Sequence, residues 1–394
     1  MKNIMILEFK ILIDRRNMKE RITDHKNTNL WQLHLDVVKG KSNGKIIWQP
    51  RIGCWYDDRI FRDEDFPEPY TGKSLPDIYR ELGCSNRNYS FNSCFQRVHD
   101  QRVKFKIEMI SETEMKRSMI TPVGSVFTIE ASNNSNPGRY PNKWWISSEE
   151  DMKVMTWIEE HMTWRWDEEA YQDNVEEWGD LGAPTIYMPR INVQEIFVTT
   201  MGVEEGVYAL YDYPKTVEKY FQAMSENQMV EIELINKSPI DIINFGDNVH
   251  AGILPPDLFI KYAMPEYQKR NDLLHKAGKF TCSHWDGDVK ALLPYAKVCG
   301  FDGIEAVTPK PQGDVTLTEV KAAFGDELFL LDGIAALLFN EDYPLDELEK
   351  QTRECIELFA PKLVLGISDE ISSNGNLDRI KFVGKIVDEY NAGR

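Results

Sequence analysis

The stretch Phe280-Thr-Cys-Ser-His-Trp-Asp-Gly-Asp288 follows a helical run that ends at 277–278, and it begins with an apolar residue. This pattern predicts a strand that leaves a helix and ends in a polar loop. Alternate side chains of a strand lie on one face, so Cys282, His284 and Asp286 are expected on the same side. In (β/α)8 barrels, catalytic groups lie where the strands meet their loops, and this stretch has that arrangement of residues.

The same alternation continues on both sides of this stretch. Strands are predicted at 240–245, 280–284, 301–307, 328–332 and 362–367, and helices at about 256–277, 289–299, 317–324, 346–359 and 377–390. Strands that alternate with helices form parallel sheets. The regular repetition favours a (β/α)8 TIM barrel over an open sheet. Earlier barrel strands are predicted at 45–52 and 184–189, with a long helix near 149–178.

A different pattern separates these early strands. Residues 101–109, 123–130 and 144–146 are predicted to be antiparallel strands, with a turn at 133–138. We therefore predict an N-terminal extension at 1–44 and a single barrel domain at 45–394, into which 85–147 is inserted as a β-rich cap. The first 17 residues are expected to form a weakly ordered arm.

Composition limits the possible partners. The chain has 394 residues, a net charge of −18 and a pI of about 5.0. This acidity argues against nucleic acid or an anionic membrane surface as the main partner, because both require clustered Lys and Arg. No apolar run approaches the ~20 residues of a membrane helix, and no signal peptide is evident, so a cytoplasmic location is expected. The sequence contains no phosphate-binding loop, dinucleotide fingerprint or GxSxG motif.

Polar residues occur at the ends of several predicted strands, where a barrel would bring them together. They are Asp247, Asn248, His250, His284, Asp286, Glu305, Asp332, Asp369 and Glu370. Catalytic zinc takes three protein ligands and keeps one position open. His284 and Asp286 are two predicted ligands, and Glu370 is the predicted third, with Asp369, Glu305 and Cys282 as alternatives. A set without thiolate suits activation of an oxygen atom.

Each of these residues also has a structural interpretation. His284 could be a hydrogen-bonded core histidine, and Asp369 with Glu370 could cap the last helix. Asp247 could be a turn residue. In the functional interpretation, Asp247, His250 or Glu305 donates a proton or anchors the substrate.

Further residues are candidates for substrate binding. They are Trp55, Tyr56, Asn248, Trp285 and Asp332. The three aromatic residues among them would line a pocket for a planar ligand. Trp157, Trp164 and Trp178 are instead expected to pack one face of the long helix.

Several segments together resemble the uroporphyrinogen decarboxylase superfamily, and in particular its corrinoid-linked methyltransferase branch. They include Gly246-Asp-Asn, Leu254-Pro-Pro-Asp-Leu-Phe259, His284-Trp-Asp-Gly-Asp288 and Gly300-Phe-Asp-Gly303. The resemblance covers about residues 180–394 well and 45–84 weakly. It implies a zinc-dependent enzyme that moves a methyl group between a small methylated donor and a corrinoid. A separate protein must carry the corrinoid, because the chain has no Asp-x-His-x-x-Gly motif.

The sequence departs from this family at two expected ligands. Methylcobamide:coenzyme M methyltransferases hold zinc with a His-x-Cys pair and a distant Cys, whereas Asp286 and the pair Asp369 and Glu370 stand at these positions here. The resemblance therefore implies O-demethylation of a methoxylated aromatic rather than thiol alkylation.

Three alternatives remain open. One is a metal-free lyase like uroporphyrinogen decarboxylase, although Arg51 alone does not reproduce the N-terminal arginine pattern of that enzyme. The second is a methyltransferase that passes the methyl group from a methylcorrinoid to an acceptor. The third is a non-catalytic binding paralogue that keeps the barrel.

Overall fold

The computed structural model describes residues 29–87, 89–133 and 136–394; the arm predicted at 1–17 lies outside them. A seven-stranded sheet forms the centre, with strand order β1-β13-β12-β11-β10-β9-β8 and parallel pairing throughout. Its strands are β1 (Ile47–Trp48), β8 (Thr185–Met188), β9 (Ile242–Val249), β10 (Phe280–Trp285), β11 (Gly303–Glu305), β12 (Phe329–Ala335) and β13 (Leu363–Ser368).

The gap between β1 and β8 is filled by a segment without regular strand structure. The amide of Ser85 donates to the carbonyl of Trp48 next to β1, and the amide of Asn86 donates to the carbonyl of Leu181 before β8, at 2.9 Å each. The side-chain amide of Gln49 also donates to the Ser85 hydroxyl. This segment therefore occupies the eighth position of the ring, and the predicted (β/α)8 barrel is confirmed.

Helices follow most strands and cover the outside of the sheet. They are α1 (Asn29–Val38), α2 (Gly53–Arg62), α3 (Leu75–Leu82), α4 (Glu149–Glu160), α5 (Glu168–Trp178), α6 (Val203–Asp212), α7 (Pro214–Lys237), α8 (Met264–Lys276), α9 (Leu317–Phe324), α10 (Leu345–Phe359) and α11 (Leu377–Ala392). Of the described helices, none is long and apolar enough to cross a membrane. Strands β10 to β13 are buried along their whole length, as expected of a parallel sheet covered on its faces.

Two predicted helices differ from the structure. The helix expected at 289–299 is reduced to a single 3-10 turn at Leu293–Tyr295, because Pro294 cannot donate the amide hydrogen bond that a longer helix needs. The helix expected at 149–178 is split into α4 and α5 by strand β7 (Met162–Trp166). Trp164 therefore lies on a strand and does not share a helix face with Trp157 or Trp178.

The inserted region contains two antiparallel sheets. Strand β2 (Phe95–His99) pairs with β7, and a four-stranded sheet runs in the order β3-β4-β5-β6. The latter strands are β3 (Lys104–Met109), β4 (Glu114–Thr121), β5 (Gly124–Ser132) and β6 (Arg139–Lys143). No strand forms at 144–146, where one was predicted.

Unusual backbone conformations cluster at the carboxyl ends of the barrel strands. Asn248, Ala306, Asp332 and Asp369 have positive φ angles between 51° and 79°. Residues other than glycine rarely adopt this backbone conformation, and it is often found at functional sites. It therefore points to this end of the barrel as the place to look for chemistry.

Candidate functional site at the carboxyl end of the barrel

Glu305 lies at the centre of a polar cluster inside the barrel mouth. Its carboxylate is fully buried at the end of β11. The Tyr187 hydroxyl lies 2.8 Å from each of its oxygens, and the Tyr89 hydroxyl lies 3.2 Å from Oε1. Asn244 donates to Oε2 from β9. These donors come from separate segments, and they hold the carboxylate in one orientation.

Two buried arginines bring positive charge to this cluster. Arg87 Nη1 lies 3.1 Å from Glu305 Oε1, and Arg87 Nη2 lies 2.5 Å from Asp332 Oδ1. Arg51 Nη1 lies 3.7 Å from Glu305 and 3.3 Å from Asp369 Oδ1. Each arginine therefore links carboxylates from different strands. Buried charges of this kind require such partners, because their transfer from water is costly.

The carboxyl groups in the cluster respond differently to their surroundings. Burial opposes ionisation of Glu305, but Arg87 and His284 more than offset it and hold its pKa well below the ordinary value. Burial raises the pKa of Asp332 to about 6, although Arg87 acts in the opposite direction. Glu305 is therefore ionised at neutral pH and serves as a fixed acceptor.

His284 connects this cluster to Asp286. Its Nδ1 lies 3.3 Å from Glu305 Oε2, and its Nε2 lies 3.9 Å from Asp286 Oδ2. Burial lowers the pKa of His284, but the charge of Glu305 outweighs it and the pKa is raised. Oδ1 of Asp286 is buried and has no hydrogen-bond partner. A carboxylate on one ring nitrogen is the usual way of orienting a histidine ligand, so two of the predicted zinc ligands fit a metal.

The predicted third ligand, Glu370, is engaged elsewhere. Its Oε1 lies 3.0 Å from Arg51 Nη2, and its Oε2 accepts a 2.7 Å hydrogen bond from the amide of Cys54 at the start of α2. Burial acts against this charge, but Arg51 outweighs it and the pKa of Glu370 is lowered. Across the described residues, no three His, Cys, Asp or Glu side chains are grouped to hold a metal ion.

A cavity of about 560 Å³ opens above His284. The residues that line it come from the barrel, from α7 and from the inserted region, and they are Arg51, Asn92, Phe95, Arg97, Trp164, Tyr187, Met188, Pro189, Arg190, Glu231, Gly246, Asn248, His284 and Asp369. This volume is in the range of small-molecule sites. Its lining combines aromatic surface with several cationic side chains.

The predicted aromatic residues are not part of this lining. Trp285 is fully buried, and its ring contacts Phe259 edge to face. Trp55 is buried against Phe66, and Tyr56 packs on the same phenylalanine. The aromatic surface of the cavity instead comes from Phe95, Trp164 and Tyr187.

The other predicted residues are placed as follows. Asp247 is buried, and it accepts hydrogen bonds from the Ile191 amide at 2.8 Å and the Tyr267 hydroxyl at 2.9 Å. His250 accepts a hydrogen bond from the Gly252 amide at 3.1 Å. Asn248 lines the cavity, whereas Asp332 lies beneath it, bound to Arg87.

Sequence analysis did not single out Arg87, Tyr89, Tyr187, Arg97 or Arg190. Tyr187 is the last residue but one of the correctly predicted strand β8 and Arg190 follows that strand, so the strand-end rule could have found both. Arg87 and Tyr89 follow the eighth barrel position, which has no strand pattern. Arg97 lies on β2, which is not a barrel strand, so the expectation that functional residues follow barrel strands does not apply to it.

Comparisons with known proteins agree with this architecture. Residues 196–390 match the sequence model of the family described as uroporphyrinogen decarboxylase (URO-D). A solved structure described as a methyltransferase from Methanosarcina mazei is similar in fold, with a TM-score of 0.55 and 14% sequence identity. The alignment covers 90% of this chain and 97% of that chain. No curated protein matches the sequence.

Proposed function

We propose that the protein is a methyltransferase of the uroporphyrinogen decarboxylase superfamily, whose sequence model matches residues 196–390 of this chain. It would move a methyl group between a small methylated donor and a corrinoid bound to a separate protein. The fold shared with the Methanosarcina mazei methyltransferase supports the proposal. In its most specific form, the donor is a methoxylated aromatic compound and the reaction is O-demethylation.

One observation carries this proposal. His284 lines the cavity with Nδ1 held by the buried Glu305, which leaves Nε2 facing Asp286 and its unpartnered Oδ1. A hydrogen-bonded core histidine would need neither the cavity nor an unpaired carboxylate oxygen beside it. The arrangement supports a site that binds a ligand or a metal ion at this point.

Zinc is part of the proposal. His284 and Asp286 would hold it, and Asp369, once displaced from Arg51 Nη1 at 3.3 Å, would be the third ligand in place of Glu370. Asp369 lines the same cavity as His284. Burial raises the pKa of Asp286, and the nearby charge of Asp369 acts in the same direction. Bound zinc would supply a Lewis acid that withdraws electrons from the donor oxygen, and the corrinoid would supply a nucleophilic cobalt centre that accepts the methyl group.

The protein's own residues would fix the donor and the histidine. Glu305 would accept a hydrogen bond from Nδ1 of His284, and this contact would orient Nε2 of the ring toward Asp286. Phe95, Trp164 and Tyr187 would contact the planar body of the donor. In demethylation, the electron pair of the broken carbon–oxygen bond stays on the donor oxygen, which leaves as a phenolate and later takes a proton from water.

Metal content provides the first test. Elemental analysis of the wild type, H284A, D286A and D369N should find one zinc per chain in the wild type and a loss in each variant. E370Q is the matched comparison, because it removes the charge of the neighbouring carboxylate, and it should retain zinc. Absence of zinc from the wild type after purification with added zinc would contradict the metal assignment and favour the metal-free lyase.

Activity provides the second test. Purified protein would be mixed with reduced cobalamin as a surrogate carrier and with a panel of methoxylated aromatics, and the visible absorbance would be followed. We expect demethylation by the wild type and none by H284A. Demethylation at equal rates with and without the protein would contradict the proposed function.

A further inference from the structure

Two arginines of the cavity differ from the arginines in the cluster below. Arg51 and Arg87 each form ion pairs with two or more carboxylates. Arg97 and Arg190 also line the cavity, and among the residues that the structure describes they contact an indole ring and an amide oxygen rather than a carboxylate. Two cations that form no direct ion pair among the described residues face one cavity in a chain of net charge −18.

Both guanidinium groups are held in place by neighbours that carry no charge. Arg97 on β2 stands opposite Trp164 on β7, with its guanidinium carbon 5.2 Å from the centre of the indole ring. The indole in turn donates a 2.6 Å hydrogen bond to Asn227. Nη2 of Arg190 donates to Asn248 Oδ1 at 3.0 Å, whereas its Nε is buried and has no hydrogen-bond partner.

Burial weakens the nearest acidic residues as counter-charges for this pair. Glu231 lines the cavity, is 2% exposed and has an Oε2 without a hydrogen-bond partner. Burial raises the pKa of Glu231 to about 8 even though Arg97 acts to lower it. Burial likewise raises the pKa of Glu159 to about 7 and shifts the pKa of Glu195 upward. A protonated carboxyl group leaves the charge of the arginines available for a ligand.

We propose that this end of the cavity is a carboxylate-binding subsite, in which Arg97 and Arg190 hold a carboxylate group of the substrate and Trp164 contacts its planar body. Arginine is well suited to this role because its planar fork matches the oxygens of a carboxylate. The inference builds on the proposed function: the methylated donor would be an aromatic carboxylate, anchored here while its methoxy group approaches His284. Arg97, Trp164 and Arg190 lie outside residues 196–390, so the subsite belongs to the part of the chain that the family comparison does not cover.

Direct binding tests the subsite without any reaction. Isothermal titration calorimetry would compare 3-methoxybenzoate and 4-methoxybenzoate with their neutral methyl esters. We expect the carboxylates to bind at least about tenfold more tightly than the esters, because hydrogen bonds to charged groups are stronger than neutral ones. Binding of the carboxylates should weaken as salt is added. Equal affinity for acid and ester, or no saturable binding of either acid, would overturn the proposal.

Substitution of the two arginines tests which side chains bind the carboxylate. R97Q and R190Q should each weaken carboxylate binding about tenfold or more and leave the weak binding of the esters unchanged, while R190K should recover part of the loss. R102Q is the matched control, since Arg102 is an exposed arginine of the inserted region that pairs with Asp100 and lies over Trp157. Thermal unfolding of each variant separates a folding defect from lost recognition. Wild-type affinity in both R97Q and R190Q would overturn the proposal.

The outcome is distinguishable from that of the proposed function. Carboxylate selectivity that depends on Arg97 and Arg190, combined with no methyl transfer, would leave the subsite standing and reject the reaction. Methyl transfer that proceeds equally well from the methyl esters would support the proposed reaction and reject the carboxylate-binding subsite.

Discussion

Nδ1 of His284 lies 3.3 Å from Oε2 of Glu305, and the two residues are direct register partners on the adjacent strands β10 and β11. Parallel pairing of these strands thus brings the imidazole and the carboxylate together at one end of the barrel. Both side chains are buried, and Arg87 approaches the same carboxylate from outside the strands. The pair is therefore fixed by the sheet, and its charge balance depends on a residue from the eighth barrel position.

Replacement of Glu305 by Gln should destabilise the protein strongly. The change keeps the shape of the side chain but leaves Arg87 and His284 without their shared counter-charge. Breaking a buried ion pair in this way costs about 3–5 kcal/mol. Urea unfolding at pH 7 measures the loss, and E347Q, at an exposed position on α10, should unfold like the wild type. The pair would be unimportant if E305Q and E347Q had the same midpoint.

The stability difference between the wild type and E305Q should also depend on pH. The pKa of Glu305 is held below its ordinary value of 4.5 by Arg87 and His284, despite the opposing effect of burial. A lowered carboxyl pKa gives stability that is present above the ordinary value and is lost as the pH falls further. The difference in unfolding free energy between wild type and E305Q should therefore shrink below about pH 4.5.

Tyr187 and Tyr89 should contribute unequally to the orientation of Glu305. The Tyr187 hydroxyl lies 2.8 Å from both carboxylate oxygens, whereas Tyr89 reaches only one of them, at 3.2 Å. Hydrogen bonds to charged groups contribute about 1.5–3 kcal/mol to the free energy of unfolding. Y187F should therefore reduce the stability by this amount, and Y89F should reduce it less. Urea unfolding of both single variants and the double variant measures the terms. An equal loss in Y187F and Y89F would contradict the assigned geometry.

The regular part of the barrel was predictable because its signals are local. The helix predicted at 317–324 is α9, and the strand and helix predicted at 362–367 and 377–390 agree with β13 and α11 to within two residues. Apolar periodicity and helix-stop signals determine these elements within a few residues of chain. His284 and Glu305 could be nominated from sequence for the same reason, since His284 ends a predicted strand and Glu305 lies near the end of the next one.

The remaining part of the site depends on contacts between distant segments. Strand β7 forms because it pairs with β2, more than 60 residues earlier, and its sequence alone reads as part of a helix. Trp164 therefore faces Arg97 across two strands, a relationship that no local pattern encodes. Glu370 was predicted as a metal ligand from its position after a strand, but in the structure its carboxylate binds Arg51 and the amide of Cys54. Competition between partners is a property of the folded structure.

Glu231 should make stability depend on pH between its ordinary pKa of 4.5 and its raised pKa of about 8. Burial raises its pKa to about 8, and the opposing charges of Arg97 and Arg270 do not cancel this effect. A raised carboxyl pKa gives stability that is complete below the ordinary value near 4.5 and is lost as the pH rises through about 8. Wild type should therefore lose stability relative to E231Q between pH 5 and 9, at about 1.4 kcal/mol for each unit of pKa shift.

Thermal or urea unfolding of wild type and E231Q at pH 5, 7 and 9 measures this difference. E233Q is the control, because Glu233 is exposed on the same helix α7. Parallel pH profiles for wild type and E231Q would show that the carboxyl group titrates as it does in water, and they would also remove one support of the carboxylate-binding subsite.

Gly366 should be required for the position of Asp332 at the base of the site. A Cβ at Gly366 would overlap Asp332 Oδ1 and lie 2.9 Å from the carbonyl oxygen of Gln49, which is backbone and cannot move aside. The free energy of unfolding of G366A should therefore be lower than that of the wild type by about 1–3 kcal/mol or more, as in other overpacked cores.

Gly384 in α11 is the matched control, since its Cβ would meet only Trp48, at 3.5 Å. G384A should gain about 0.5–1 kcal/mol, because alanine favours a helix interior over glycine. Urea unfolding of both variants measures these opposite signs, and equal stability of G366A and wild type would mean that the loop before Arg51 moves freely enough to admit a methyl group. Such freedom would conflict with a rigid cluster around Glu305, since Arg51 lies two residues after Gln49.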